Sequence, residues 1–173
     1  LLLAVLLTGY TSVLGQDKTP ALTLEQLNDI FTTPTPEQVK VITRLAEEGN
    51  VKAQMGLGIW YTYGNGVPQD DQLAVKWYRA AAEQGHVDAQ DKLGSTYRYG
   101  QGVPTDFQQA MKWYKLAAEQ GEAEAQYNLG VMYDKGRGVP QDYILAHKWA
   151  NLAAAQGYKK AAEFRDLLAK KMN

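Results

Sequence analysis

Cysteine is absent from the 173 residues, and only two histidines, His86 and His147, are present. A chain without cysteine holds no disulfide, no thiolate zinc or iron–sulfur centre and no thiol nucleophile. A basic surplus is missing as well, since 18 Lys+Arg stand against 19 Asp+Glu for a net charge of −1. Nucleic-acid binders draw most of their affinity from such a surplus, so nucleic acid is not an expected partner. No apolar run approaches the roughly 20 residues that a membrane-spanning helix takes, which argues against stable membrane insertion of the mature chain. With 45% hydrophobic and 21% charged residues, the composition is that of an ordinary globular protein of about one domain.

The N-terminus differs from the rest. Leu1 to Leu7 is unbroken apolar sequence, followed by Thr8-Gly9-Tyr10-Thr11-Ser12 and then Val13-Leu14-Gly15. The length of the run and the small residue at Gly15 suit the apolar core and cleavage site of a signal peptide, so 1–15 reads as a signal-peptide-like segment and the mature chain as starting near Gln16. Leu7-Thr8-Gly9 also resembles the stretch ahead of the lipidated cysteine of bacterial lipoproteins, but Tyr10 stands where that cysteine belongs. The expected compartment is the periplasm or the medium, with envelope association open.

What the chain has in abundance is repetition. Glycine recurs at 49, 85, 121 and 157, a period of 36. The same shift aligns Ala53/Ala89/Ala125/Ala161, Gln54/Gln90/Gln126, Leu57/Leu93/Leu129, Gly58/Gly94/Gly130 and Tyr61/Tyr97/Tyr133. It also aligns Gly64/Gly100/Gly136, Gly66/Gly102/Gly138, Val67/Val103/Val139, Pro68/Pro104/Pro140, Asp70/Asp106/Asp142, Ala74/Ala110/Ala146 and Trp77/Trp113/Trp149. Thirteen of the 16 glycines occupy such positions, which leaves chance similarity no room.

Each unit reads as two helices. Ala53, Leu57 and Tyr61 are four apart, with Gln54 and Gly58 beside them, and give one inward stripe to a helix over about 51–63. Gly64 supplies the left-handed residue that stops this helix, Gly66-Val67-Pro68 turns the chain, and the Asp70 carboxylate caps the next helix. That second helix, about 71–84, carries Ala74, Trp77, Tyr78 and Ala81 on its core side and ends at Gly85. Repeated helix pairs give an all-α fold, an αα-solenoid with a period of 36. The expected organisation is a helical cap over 16–48, three repeats over 49–84, 85–120 and 121–157, and a C-terminal capping helix over 158–173. In the cap, Thr35-Pro36-Glu37-Gln38 has the form of a capping box with proline at the first helical position, Val39, Ile42 and Leu45 face inward, and Leu22 to Phe31 suggests one more short helix. In the last helix Ala161, Phe164, Leu167 and Leu168 face inward, and Lys159, Lys160, Lys170 and Lys171 face water.

The repeated strings Ala-Glu-Gln-Gly, Ala-x-Ala-Gln-x-x-Leu-Gly-x-x-Tyr, Gly-x-Gly-Val-Pro-x-Asp and Ala-x-x-Trp-Tyr resemble the Sel-one-like repeat, a relative of the tetratricopeptide repeat. Residues 117–143 run close to that family's average sequence. The resemblance implies a right-handed superhelix of helix-turn-helix repeats that serves as a binding scaffold, in bacteria often in the cell envelope or at the host interface.

No constellation of catalytic residues emerges. The two histidines lie 61 positions apart, outside any metal-ligand spacing. Asp70, Asp106 and Asp142 are accounted for as helix caps, and Gly64-Asn65-Gly66-Val67-Pro68 lacks the lysine and the strand of a phosphate-binding loop. No cofactor or metal is expected. Trp77, Trp113 and Trp149 have the helical spacing of core residues.

Function is expected on the face that the core leaves over. At about 100° per residue, the first helices turn outward Lys52, Met55, Ile59, Thr62 and Tyr63, then Asp88, Asp91, Ser95, Arg98 and Tyr99, then Glu124, Tyr127, Val131, Asp134 and Lys135. By the resemblance, first helices line the concave surface. These side chains then form a groove with an apolar start, Trp60 beside Met55, Ile59 and Tyr63, and a mixed-charge middle. Ile59, Tyr63 and Tyr99 suggest an aromatic track. The expected activity is non-catalytic binding of a protein or peptide by a monomeric scaffold. An alternative is an immunity-type or virulence-associated partner of one protein. A further one is a hydrolase, because some cysteine-rich relatives are described as acting on β-lactams; this chain lacks their cysteines and offers no serine with a neighbouring base.

Overall fold

The structure is a computed structural model that describes residues 33–172. The signal-peptide-like segment and the expected helix over 22–31 lie outside the described residues. Among those described there are eight helices and no strand. They are α1 (Pro36–Glu47), α2 (Val51–Tyr63), α3 (Asp71–Glu83), α4 (Val87–Tyr99), α5 (Phe107–Glu119), α6 (Ala123–Lys135), α7 (Tyr143–Ala155) and α8 (Lys159–Met172). The boundary between two compact units falls between Ala80 and Ala81, within α3.

In the first unit the helix starts are fixed by side chains that accept from backbone N–H groups left without an intrahelical partner. Thr35 and Gln38 form the capping box of α1, with the Thr35 N–H donating to Gln38 Oε1 at 2.7 Å and the Gln38 N–H donating to Thr35 Oγ1 at 3.3 Å. Asn50 Oδ1 caps α2 through the Ala53 N–H at 3.0 Å, and Asp70 Oδ1 accepts from the Leu73 N–H at 2.9 Å to start α3. The stop of α2 is Gly64, whose φ of 71° lies in the left-handed region that a side chain disfavours. Gly100 and Gly136 end α4 and α6 in the same way. Ala46, Ala53, Leu57, Trp60, Val67 and Trp77 form the core, and Val39, Ile42, Leu45 and Tyr61 pack on it. Trp60 is therefore core rather than a groove residue. The Tyr78 ring covers Gly58, leaving no room for a Cβ there.

The second unit repeats this plan. His86, Asp106, Glu122 and Asp142 cap α4, α5, α6 and α7. In α4 Gly94 again meets a tyrosine, since a Cβ on it would sit 2.7 Å from Tyr114 Cδ1. Repeat three has Ala150 where the others have tyrosine, and Gly130 instead meets the α7 backbone, with Ala146 O at 3.0 Å from such a Cβ. The glycine of the motif thus admits a ring twice and a helix backbone once. A periodic glutamine joins successive helix pairs: Gln90 Nε2 donates to Ala82 O and Gln126 Nε2 to Ala118 O, both at 3.1 Å, as Gln54 does to Ala46 O in the first unit. Gln120 and Gln156 then donate to Gln90 Oε1 and Gln126 Oε1 at 2.8 and 2.9 Å. Side-chain hydrogen bonds that reach buried carbonyls without leaving an orphan are each worth about 1 kcal/mol.

Helix α8 closes the second unit through Ala146, Ala150 and Leu168, with Tyr133, Tyr143 and Phe164 packed around them. Two expectations for this helix are corrected. Leu167 is exposed, because the inward stripe passes through Ala161, Phe164 and Leu168. Lys171 does not simply face water: its ammonium donates to Asp134 Oδ1 at 2.6 Å and lies over the Tyr143 ring. Trp77 and Trp113 are buried, and Trp149 is half-buried.

Candidate interaction face

The side chains expected to face outward from the first helices divide between the two units, and each set stands by itself. On α2 of the first unit, Lys52, Ile59 and Thr62 are half-buried and Tyr63 is 70% exposed. Thr62 Oγ1 donates to Gly58 O at 2.8 Å and lies 2.9 Å from the Tyr78 hydroxyl, so it is committed to the helix pair. Burial pushes the Tyr78 phenol up to about 12 against the opposing Thr62 bond. Met55 is buried and offers nothing to a partner.

On the second unit α4 and α6 present the rest. Asp88, Tyr99, Glu124 and Lys135 are exposed, and Ser95, Arg98, Tyr127 and Val131 are half-buried. Asp91 and Asp134, expected outward, are only 3% and 2% exposed. The flank of a first helix that a single helix wheel leaves open is covered by the next helix along: Asn128 of α6 reaches Asp91, and Lys171 of α8 reaches Asp134. Lys135 also approaches Asp134, at 3.2 Å. Burial pushes the Asp134 carboxyl up, but the bonds and charges of Lys171 and Lys135 outweigh it and hold the group below the usual carboxylate range. This pair positions α8.

Between α4 and α6 lies a polar relay. The Asn128 amide stands between two charges, its Nδ2 donating to Asp91 Oδ1 at 3.4 Å and its Oδ1 accepting from Arg98 Nη1 at 2.9 Å. Ser95 Oγ and the Tyr114 hydroxyl are 3.0 Å apart, and burial pushes that phenol up to about 12. Arg98 Nε is buried without a partner, and its guanidinium carbon lies 5.0 Å from the centre of the exposed Tyr99 ring. Asp91 is held differently from Asp134. Burial pushes its carboxyl up to about 6; Glu124 and Glu122 add to the rise, while Lys92 and the Asn128 bond oppose it. Beside these carboxylates stands an aromatic group, with Tyr127 5.4 Å from Tyr158 and 5.6 Å from Phe164 between ring centres. The sequence missed Asn128 and Tyr158, because a helix wheel of one repeat does not show what the next repeat lays against it.

Nothing in this arrangement resembles a metal centre: among the described residues no group of three or more His, Asp or Glu side chains could hold an ion. His86 Nδ1 accepts from the Ala89 N–H at 3.4 Å and so serves as a helix cap. No helix among the described residues is long and apolar enough to cross a membrane.

Three consecutive segments, 51–86, 87–122 and 123–158, match the Sel1 repeat family. Each starts two residues after the glycine that marks the period. No curated protein matches the chain. Among solved structures, the chain is similar to a Sel1 repeat protein from Oxalobacter formigenes, with 41% identity over 75% of this chain and 98% of that one and a TM-score of 0.68. It is also similar to c5321, a protective antigen present in uropathogenic Escherichia coli strains that displays an SLR fold, with 39% identity, 88% of this chain covered and a TM-score of 0.69. The match takes up 30% of c5321. Cysteine-rich protein B of Helicobacter pylori, 21% identical over 72% of this chain and 95% of its own, shares the fold with a TM-score of 0.58. Proteins of this kind generally serve as protein-interaction scaffolds and are typically non-catalytic. The three matched segments and the helix pairs that form them make this chain an all-α helical repeat solenoid and a member of the Sel1 repeat family.

Proposed function

We propose that this chain is a non-catalytic binder of a protein or peptide in the bacterial periplasm or cell envelope, and that the outward faces of its first helices make the contact. The observation that carries the reading is the division between periodic and aperiodic positions. Periodic residues are spent on caps, glycine–tyrosine contacts and glutamine links, whereas outward positions such as 52/88/124 (Lys, Asp, Glu) and 59/95/131 (Ile, Ser, Val) change from repeat to repeat. Tyr63 and Tyr99, 70% and 62% exposed, add large amphipathic contact area at small entropy cost, as interface tyrosines do. The extracytoplasmic location draws support from the apolar run at Leu1–Leu7 with its following small residue, and from the similarity to c5321, a protective antigen. An immunity-type or virulence-associated role toward a single partner is a narrower form of the same reading.

The test starts with capture of the native partner from envelope extracts by the tagged protein. Affinity is then measured for Ile59→Asp/Tyr63→Ser on the first unit and for Tyr99→Ser on the second. At least one variant should lose about 2 kcal/mol, roughly thirtyfold, while melting cooperatively within a few degrees of the parent. Unchanged affinity in both would overturn the assignment of the binding face and move attention to the glycine-rich loops at 64–68, 100–104 and 136–140.

A further inference from the structure

The sequence contains a single Asn-Gly step, Asn65-Gly66. It stands in the turn between α2 and α3 of the first unit, outside both helices. The second unit holds two copies of the same turn, with Gln101-Gly102 and Arg137-Gly138 in its place. Two backbone hydrogen bonds close each copy. In the first, the Asn65 N–H donates to Trp60 O at 3.0 Å and the Asp70 N–H to Tyr61 O at 2.9 Å; the second-unit copies repeat both bonds, from Gln101 and Asp106 and from Arg137 and Asp142. The nitrogen that follows Asn65 is left out of this scheme, since among the described residues no carbonyl accepts from the Gly66 N–H. Gly66 is exposed and has a φ of 67°, and a Cβ on it would lie 2.9 Å from the carbonyl oxygen of the buried Pro34. A side-chain amide is thus followed by a backbone nitrogen that base and water can reach and that no neighbouring side chain shields.

That pairing has a chemistry of its own. Base removes the Gly66 proton, the nitrogen attacks Asn65 Cγ, and a C–N bond forms while the Cγ–Nδ2 bond breaks and ammonia leaves. The five-membered succinimide then takes up one water. Opening at Cγ gives aspartate, whereas opening at the main-chain carbonyl gives isoaspartate, whose backbone runs through Cβ and Cγ. Proximity favours attack within one residue step, and glycine puts no Cβ in the way. Gln101 has one more methylene to order and a six-membered ring to close, and Arg137 has no amide at all. We propose that Asn65 is a site of spontaneous deamidation and isoaspartate formation in the folded protein, and that the isoaspartate loosens the first unit. An extra main-chain atom enters a turn that is hydrogen-bonded at both ends and seated on Pro34, where Gly66 has no room even for a methyl group. Val67, the residue after Gly66, belongs to the core of this unit and is displaced with the turn. The second unit carries the same turn without asparagine and serves as the internal control.

The whole chain is aged in its folded state at pH 6, 7.5 and 9 and compared with an unaged sample. Cleavage after Lys52 and Lys76 releases the fragment 53–76, in which mass spectrometry locates the change of amide to acid and separates isoaspartate from aspartate. Conversion at Asn65 should run at least tenfold faster than at Gln101, rise with pH and leave isoaspartate as the larger product. Asn65→Gln and Asn65→Arg place there the residues that the second-unit turns already hold, and each should lower conversion at position 65 at least tenfold. Hydrogen exchange of the aged chain should be at least tenfold faster in α1 and α2 and unchanged in α6 and α7, and neither variant should change with age. Conversion at Asn65 no faster than at Gln101, conversion that takes place only in urea, or aspartate as the sole product overturns the proposal. So does full conversion to isoaspartate that leaves exchange in α1 and α2 as it was.

Discussion

Replacing Asp91 by asparagine should make the protein more stable at neutral pH. The side chain is buried, and burial pushes its carboxyl up from the usual 3.8 to about 6. A group with a raised carboxyl pKa binds more protons when folded than when unfolded between about pH 4 and 6, so it lowers stability progressively as pH rises through that window. At about 1.4 kcal/mol for each tenfold change in proton affinity, this rise sets an upper limit of about 3 kcal/mol for the burden at pH 7. Asparagine keeps the Oδ1 acceptor for Asn128 and removes the charge. Urea unfolding of parent and Asp91→Asn at pH 4, 5, 6 and 7 measures the difference directly. The curves should coincide near pH 4 and separate in the variant's favour by 7, reaching several degrees if followed as a melting temperature. A variant no more stable than the parent at pH 7, or a difference independent of pH, would refute the picture of an under-neutralised buried carboxylate. Protein surfaces that bind often give up stability in this way.

The other predictions address packing and chemistry. Gly94→Ala places a methyl against the Tyr114 ring and should cost about 1–3 kcal/mol, whereas Gly56→Ala, a helix-interior position with nothing within 4 Å of the new Cβ, should be neutral or stabilising by up to about 1 kcal/mol; thermal melts of the two variants decide. Trp113→Ala should cost about 3–5 kcal/mol, and a melting point within a degree of the parent would contradict its burial. Lys171→Met removes the ammonium from Asp134, so hydrogen exchange of α8 should accelerate while α4 and α5 keep their protection. Purified protein should turn over no nitrocefin above background, and turnover would contradict the non-catalytic reading.

The helix pairs were legible because the period of 36 states each cap, turn and core position three times. The span expected for the first helix of repeat one, 51–63, coincides with α2, and Asp70, Asp106 and Asp142 are the caps that their places before helices implied. The outward face was legible only in part. Tyr63, Tyr99, Asp88 and Glu124 are exposed as a helix wheel places them, but Met55, Asp91 and Asp134 are buried. A wheel knows its own helix and nothing of the one stacked beside it, so the contacts of Asn128 with Asp91 and of Lys171 with Asp134, each across 37 positions, do not appear in it. The glycine–tyrosine contact shows the same limit. The spacing puts Gly58 only beside the inward stripe, and the structure fills the space over this repeated glycine with a ring in two repeats and with backbone where repeat three has Ala150.

Hydrogen exchange of the protein with and without its captured partner tests the central claim most directly, because it reports every helix at once. Binding through the first-helix faces should slow exchange in α2 or in α4 and α6, with the α4–α6 effect reduced in Tyr99→Ser. Protection confined to the second helices α3, α5 and α7, or to the glycine-rich loops, would contradict it.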